Sequence, residues 1–355
     1  MTGARGGAAL DRLREPVVLA PMAGGPSSPA LAAAVSEAGG LGMLGGGYLA
    51  PDALRAQLAA VRELTGAPVG VNLFVPGPRP GGGGDPVAAY RRELRPEAQR
   101  AGVALGEPRA DDDGWAEKLD LVARAGVPVV SFTFGCPQPA VLEELAAAGS
   151  EPWVTVTSPE EAVRASEAGA RALVLQGAEA GGHRGTFDDA DERDIGLLAL
   201  IRLVAAAVDR PLVAAGGIGD GAAIAGVLAA GAHAAPLGTA FLRAHEAGTH
   251  PAHQAALGAG RTAITRAFTG RRARGLVNRF MREHPVAPSA YPEIHHVTAP
   301  LRAAARATGD AGGFNLWAGQ AHALARAAPA GEIVRALGAE ARTALAGAAE
   351  RWRSP

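Results

Sequence analysis

The sequence has one cysteine, one lysine and no long apolar run, and each scarcity closes off a class of protein. Cys136 is the only cysteine in 355 residues, which excludes an intrachain disulfide and a cysteine-based zinc cluster. No uninterrupted apolar stretch approaches the roughly 20 residues that span a bilayer. The opening residues, MTGARGGAALDRLREP, lack the apolar segment of a secretory signal, so a soluble, cytoplasmic protein is expected. Net charge is −1, which gives no electrostatic reason to expect a nucleic-acid or anionic-membrane partner. Lys118 is the only lysine, and arginine carries the rest of the positive charge. With abundant alanine and glycine, this reads as coding bias rather than function.

What is present points to a large core. Apolar residues make up 48% and charged residues 19% of the chain, a balance that excludes disorder. The length suits one large barrel with an appendage, or two ordinary domains. A rhythm runs along the chain: a short apolar run, a glycine-rich turn, then an Ala/Leu-rich stretch. Strands are expected at 16–20, 41–45, 69–74, 128–134, 153–157, 172–176, 211–215 and 234–238. Helices are expected near 28–38, 51–65, 111–125, 137–148, 158–169, 194–208, 219–230 and 239–258. Several of these open on a proline or a capping residue, as in Ser158-Pro159-Glu160-Glu161. Eight strands alternating with helices predict an α/β fold, a parallel (β/α)8 TIM barrel, over a doubly wound open sheet. Two segments break the rhythm. Residues 76–110 read as an inserted loop and helix within a barrel spanning 1–258. Residues 259–355 read as a smaller, mostly helical cap with terminal helices packing back on the barrel.

In such barrels the loops after the strands build the active site, and several stand out. The first strand ends in Pro21-Met22-Ala23-Gly24-Gly25, whose small residues let backbone amides approach a ligand. Asn72 lies near the C-terminal end of the third strand, and Gln176 ends the sixth; an amide offers donors and acceptors to a heterocyclic edge. After Gln176 comes a loop carrying Gly181-Gly182-His183, where a histidine suits proton transfer or stabilisation of an anion. The turns Gly216-Gly217-Ile218-Gly219 and Gly238-Thr239 follow the seventh and eighth strands. Bare N–H groups leading into helices there make a phosphate site.

Taken in order, APMAGG, SEAGGLGMLGGGYL, VNLF, QGAEAGGHRG, AAGGIGDG, LGTAFLR, TRAFTGRRARGLVN and LWAGQA resemble the nitronate monooxygenases, formerly called 2-nitropropane dioxygenases. The last two segments resemble the bacterial class I branch. The resemblance implies noncovalent FMN at the barrel mouth, with the backbone of Pro21, Met22, Ala23 and Gly24 facing the flavin ring. Asn72 and Gln176 would bond the ring edge, Gly181 would pack near it, and Gly217, Gly238 and Thr239 would hold the phosphate. His183 falls on the family's active-site histidine. The implied reaction is oxidation of an alkyl nitronate by O2 to a carbonyl compound and nitrite, with an electron passing through FMN to oxygen. His183 would orient and charge-stabilise the nitronate or, with a neutral nitroalkane, remove the α-proton. One departure stands out: Pro236 replaces the family's usual glutamine, removing an amide side chain and a backbone donor, so weaker FMN binding is expected.

Two other readings stay open: a flavin-dependent, NAD(P)H-using enoyl reductase-like enzyme, which shares the Gly-Gly-His loop, and a non-catalytic ligand-binding barrel. In the cap, arginines 261, 266, 271, 272, 274, 279 and 282 run without an acidic residue among them up to Arg282. Most are expected to be solvated or to bond the barrel rim, with one or two left to attract an anionic substrate. Tyr291 is a further substrate-contact candidate. His250 with His253, and His295 with His296, lack a third ligand at metal spacing and read as surface or capping residues; no metal is expected. Cys136 reads as packing, and Asp111-Asp112-Asp113 as a helix N-terminal cap. Oligomeric state is not fixed by the sequence, a homodimer included.

Overall fold

The computed structural model describes residues 8–77 and 86–353. Its strands are β1 (Val17–Leu19), β2 (Gly42–Gly45), β3 (Val69–Phe74), β4 (Val129–Thr133), β5 (Glu151–Val156), β6 (Ala172–Gln176), β7 (Gly182–His183), β8 (Leu212–Ala215), β9 (Ala235–Leu237), β10 (Thr262–Thr265) and β11 (Ala273–Leu276). Six of them form a curled parallel sheet in the order β2-β3-β4-β5-β6-β8, and β1 pairs in parallel with β9. Single parallel bridges, Val18 to Leu41 and Val213 to Ala234, stand between this pair and the two edges of the six-stranded sheet. Helices of the expected register connect the strands, for example Pro29–Glu37, Pro51–Leu64 and Pro159–Ala168.

Alternation along these strands sorts the core into two layers. Val17, Leu19, Leu44, Val71, Val130, Val154, Leu173 and Leu212 pack outward with the surrounding helices in the main cluster. Val18, Met43, Val129, Trp153, Ala172, Val213 and Ala234 form a separate inner cluster, with Leu10 of the first helix against it. Further along the same inward positions, toward the strands' C-terminal ends, the residues turn polar or small: Asn72, Thr133, Thr155 and Gln176. That change of composition leaves room for a cavity at one end of the sheet.

Local capping follows the sequence. Ser158 Oγ accepts from Glu161 N at 3.2 Å, and the buried Glu161 carboxylate accepts from Thr157 N at 2.6 Å and from Phe187 N at 2.6 Å. The box thus starts one helix and also holds the loop after β7.

Two expectations change. The helix expected over 239–258 is a short 3-10 turn, Thr239–Phe241, and a separate helix, Pro251–Ala256. The intervening Gly248 passes so close to Gly25 that a Cβ there would lie 2.4 Å from the Gly25 carbonyl oxygen, so packing against the first loop breaks the helix. The three aspartates do not cap a helix running from 111: it starts at Trp115. Instead Asp113 accepts from Tyr48 N at 3.0 Å and pairs with the buried Lys118 at 2.7 Å, while Asp111 bonds His296 at 2.7 Å. Residues beyond 259 carry β structure as well as helices, because β10, β11 and β7 form an antiparallel three-stranded sheet. The helix Ala330–Arg353 returns to the body, where Gly221 lies against Leu337, Glu340 and Ala341. The inserted segment contains helices Pro86–Glu93 and Arg95–Ala101; the glycine run expected to loop there lies outside the described residues. No helix among the described residues is long and apolar enough to cross a membrane.

Candidate active site

A cavity of about 770 Å³ opens at the C-terminal ends of the parallel strands, in the size range of small-molecule and cofactor sites. The structure brings together there Pro21, Met22, Ala23, Gly24, Asn72, Gln176, Gly181, His183, Gly217, Gly238 and Thr239. Tyr291 is not in the wall; its ring stands behind it, 6.1 Å from His183 and 5.6 Å from Phe134. Cys136 packs beside the core and does not line this cavity.

The floor is a polar layer that satisfies itself. Asn72 Nδ2 donates to Ser131 Oγ at 2.9 Å and to Thr133 Oγ1 at 3.0 Å, and Thr133 lies 3.3 Å from Thr155 Oγ1. Gln176 is engaged more fully than expected: its Nε2 donates to the His183 carbonyl at 2.9 Å, and its Oε1 accepts from Arg184 at 3.0 Å and Gly185 N at 2.8 Å. Its amide therefore holds the His183 segment in place. Glycines shape the rest. Gly24 has φ of 83° and a Cβ there would meet nothing within 4 Å, while one on Gly238 would meet nothing closer than 3.4 Å. The space beside Gly24 is open, whereas a Cβ on Gly238 would touch Ala20 and Met22 at ordinary contact distance. Gly181 is needed for a different reason, since its Cβ would lie 2.4 Å from Gly319 N, and Gly319 N donates to Thr239 Oγ1 at 3.0 Å. The LWAGQA segment thus seals one side of the site. Pro236 sits in β9, where Ala235 N donates to Pro16 O. By alternation the next nitrogen faces β8, where Ala214 N donates to Ala234 O, and the proline has no N–H with which to continue that ladder.

His183 lies on a two-residue strand rather than a free loop, paired with Ala273 of β11. Its Nε2 is 2.9 Å from Thr269 Oγ1, and Phe134 and Trp317 meet its ring edge-on at 5.7 and 5.4 Å. Burial, then the guanidiniums of Arg271 and Arg302, push its pKa down to about 3, so the imidazole is neutral at physiological pH. Phe134 holds this corner from a positive φ of 77°, with the Arg271 guanidinium 4.1 Å over its ring.

The roof comes from residues whose position in space the sequence does not signal. Tyr48, at φ 65°, stacks on His295 at 4.2 Å; both line the cavity together with Arg302, Arg306 and Trp317. The arginine series resolves mostly as rim bonding. Arg266 pairs with Asp189, Arg272 with Asp194 and Arg279 with Glu97. Arg271 bonds the carbonyls of Arg184 and Thr186, and Arg274 the carbonyl of Ala178. His250 caps the helix Pro251–Ala256 as expected of a capping residue, but His253 and His295 are cavity residues, not surface ones. Burial drives the pKa of His253 down to about 4 and that of His295 to about 2. Among the described residues one group of metal-ligand type, Glu97 with Glu283 and His284, lies away from the cavity. Arg279 and Arg100 neutralise its carboxylates, which makes it an ion-pair network.

A mostly apolar cavity at the strand ends, with glycine-edged loops on one side and a neutral histidine among buried arginines on the other, defines an enzyme of the parallel α/β class. Comparison narrows it. The chain matches the nitronate monooxygenase family over residues 9–340. It is 40% identical over 362 residues to the nitronate monooxygenase of Paraburkholderia phytofirmans, covering 97% of each chain. Against that of Pseudomonas aeruginosa it is 41% identical, covering 93% of this chain and 97% of the relative. Among solved structures, nitroalkane oxidase from Streptomyces ansochromogenes superposes with a TM-score of 0.94 at 51% identity, over 96% of this chain and 100% of that one. FabK from Thermotoga maritima superposes at 0.75 with 27% identity, over 99% and 100%. The chain belongs to the nitronate monooxygenase family.

Proposed function

We propose that this protein oxidises alkyl nitronates with O2, to a carbonyl compound and nitrite, using FMN held at the mouth of a closed (β/α)8 barrel. The bridges on either side of the β1–β9 pair support closure, and the inner cluster draws on strands of both sheets. On this reading residues 1–258, with the 76–110 insertion, are the barrel and residues 259–355 the cap.

The site fits FMN. Open space beside Gly24 offers a backbone edge against which a planar ring can lie, and Gly238 lines the same cavity beside Met22. Gly217, Gly238 and Thr239 would take the phosphate, the Pro21–Gly24 backbone would face the ring, and Asn72 would reach its edge. Gln176 has its oxygen and one N–H committed to the His183 segment, which leaves one N–H for the ring. The helix after β8 contributes less to the phosphate than expected, because Asp220 and Glu340 already accept from Ala223 N and Gly221 N. Bound FMN would supply the electron transfer between nitronate and oxygen.

The single observation that carries the reading is His183, neutral, held by Thr269 and facing the same cavity as Arg302. The neutral imidazole hydrogen-bonds and orients the substrate, while the guanidinium balances the nitronate's negative charge. Trp317, Phe134 and Tyr48 exclude water around it. The test is oxygen uptake and nitrite release by the FMN-loaded protein given propyl-1-nitronate without any nicotinamide. Coupled consumption and release are expected; absence of turnover by flavin-replete protein overturns the proposal.

A further inference from the structure

His183 is held twice, once through its backbone and once through its ring. The backbone is fixed by Gln176 Nε2 on the His183 carbonyl at 2.9 Å and by pairing with Ala273. The ring is fixed by one hydrogen bond, between Nε2 and the buried Thr269 hydroxyl at 2.9 Å. The other nitrogen, Nδ1, bonds nothing among the described residues and is not enclosed. It therefore opens on the cavity that His183 and Thr269 both line. The imidazole is neutral, so it has one proton for two nitrogens. If that proton is on Nδ1, the cavity meets a donor there; if it is on Nε2, the cavity meets a bare lone pair.

Thr269 settles which. Its hydroxyl has one proton to give and two lone pairs to offer. The Arg271 amide can only donate, and it lies 3.4 Å from Oγ1. Two acceptors compete for the hydroxyl proton: Nε2 at 2.9 Å and the Arg271 carbonyl at 3.3 Å. The carbonyl lies beyond the ordinary range of an O–H···O bond, whereas the ring nitrogen is within good hydrogen-bond distance. The hydroxyl proton therefore goes to Nε2, with the Arg271 amide behind it. Thr269 itself has little freedom. It ends a turn in which its own N–H donates to the Arg266 carbonyl at 3.2 Å. Tyr90 of the inserted segment donates to the Ala267 carbonyl at 2.9 Å. Thr298, on the helix Glu293–Thr308, donates to the Phe268 carbonyl. The inserted segment and that helix thus meet on the turn that carries this one hydroxyl.

We propose that Thr269 is a positioning residue that sets the tautomer of His183: its hydroxyl donates to Nε2, so the ring proton sits on Nδ1 and points into the cavity as a hydrogen-bond donor. What that donor serves rests on the nitronate reading, in which an anionic substrate accepts the bond. The tautomer itself does not rest on it.

The test is long-range proton–nitrogen NMR of the FMN-loaded protein carrying isotope-labelled histidine, with the His183 signal identified by its loss in His183→Asn. Near neutral pH, Nδ1 of the native protein is expected to carry the proton and Nε2 the lone pair. Thr269→Val keeps the size and removes the hydroxyl. It should shift the ring toward the opposite tautomer and lower kcat/KM for propyl-1-nitronate by about three- to tenfold, the worth of one neutral hydrogen bond, with flavin content unchanged. Thr269→Ser should restore both. A native ring protonated at Nε2, or a tautomer that is the same with and without the hydroxyl, overturns the proposal. So does a Thr269→Ser protein no closer to native than Thr269→Val. The NMR readout needs no substrate, so a ring protonated at Nδ1 in a protein that oxidises no nitronate would overturn the nitronate reading and leave the role of Thr269 standing.

Discussion

The two sides of the cavity are built on opposite principles. The floor, at the ends of the parallel strands, is backbone and short polar side chains that already satisfy one another, as Asn72, Ser131, Thr133 and Thr155 do. The roof, carried by the helix Glu293–Thr308 and the segment around Trp317, is made of long side chains whose charge is not balanced. Among the described residues Arg302 and Arg306 have no carboxylate partner, and His295 is packed against Tyr48 and held neutral. The floor is therefore an internally bonded seat, and the roof carries charge that a ligand would complete. His183 joins the two, tied to the floor through Gln176 and to the roof side through Thr269.

The sharpest break is at that joint. His183→Asn should leave bound FMN in place, as read by flavin absorbance, and lower kcat by about 100-fold or more; activity within a factor of about two of native would remove His183 from the chemistry. Next is the support beneath Tyr48. Asp113→Ala strips the counter-ion from Lys118, whose side chain is only 2% exposed, and should cost about 3 kcal/mol in denaturant unfolding. A loss under about 1 kcal/mol would mean that Lys118 finds another partner.

The roof histidines give a smaller, graded effect. His183, His253 and His295 have pKa values pushed below 6.5, to about 3, 4 and 2. The unfolded chain binds these protons near 6.5 and the folded chain does not, so stability is full above that pH and falls as pH drops toward about 4. Tm measured from pH 8 to 4.5 should fall steadily below about 6.5, and more steeply than in His295→Phe; parallel curves would refute the buried-neutral assignment. The smallest change tests the floor: Pro236→Gln should tighten FMN binding by a few-fold, about one neutral hydrogen bond, measured by flavin titration. An unchanged Kd would show that the proline costs the site nothing.

The floor was readable because its devices are local. A glycine at a positive φ, a proline opening a helix and a polar residue closing an apolar strand each act within a few positions. PMAGG, VNLF, the Gly-Gly-His segment and the two glycine turns could therefore be placed on one mouth before any coordinates. Even so, spacing points Gln176 only toward the ligand, whereas its amide also holds the His183 segment, a role that spacing does not announce. The roof was not readable for the complementary reason. Arg302 looks like any helical arginine, and five of the seven cap arginines find their carboxylates and carbonyls on segments 70 or more residues away in the chain, as Arg266 does with Asp189. The break in the helix expected over 239–258 likewise comes from Gly248 meeting Gly25, a contact between distant segments.

By itself, the sequence determined the alternation of strands and helices, the inward and outward layers of the core, and the glycine-edged loops, because backbone conformation and side-chain alternation are set by neighbours in the chain. Only the tertiary structure decided which cations are paired and which are left facing the cavity, that His183 is neutral, and that Tyr48, His295 and Trp317 close over it. Burial and charge balance depend on what arrives from elsewhere in the chain, and no local pattern encodes that.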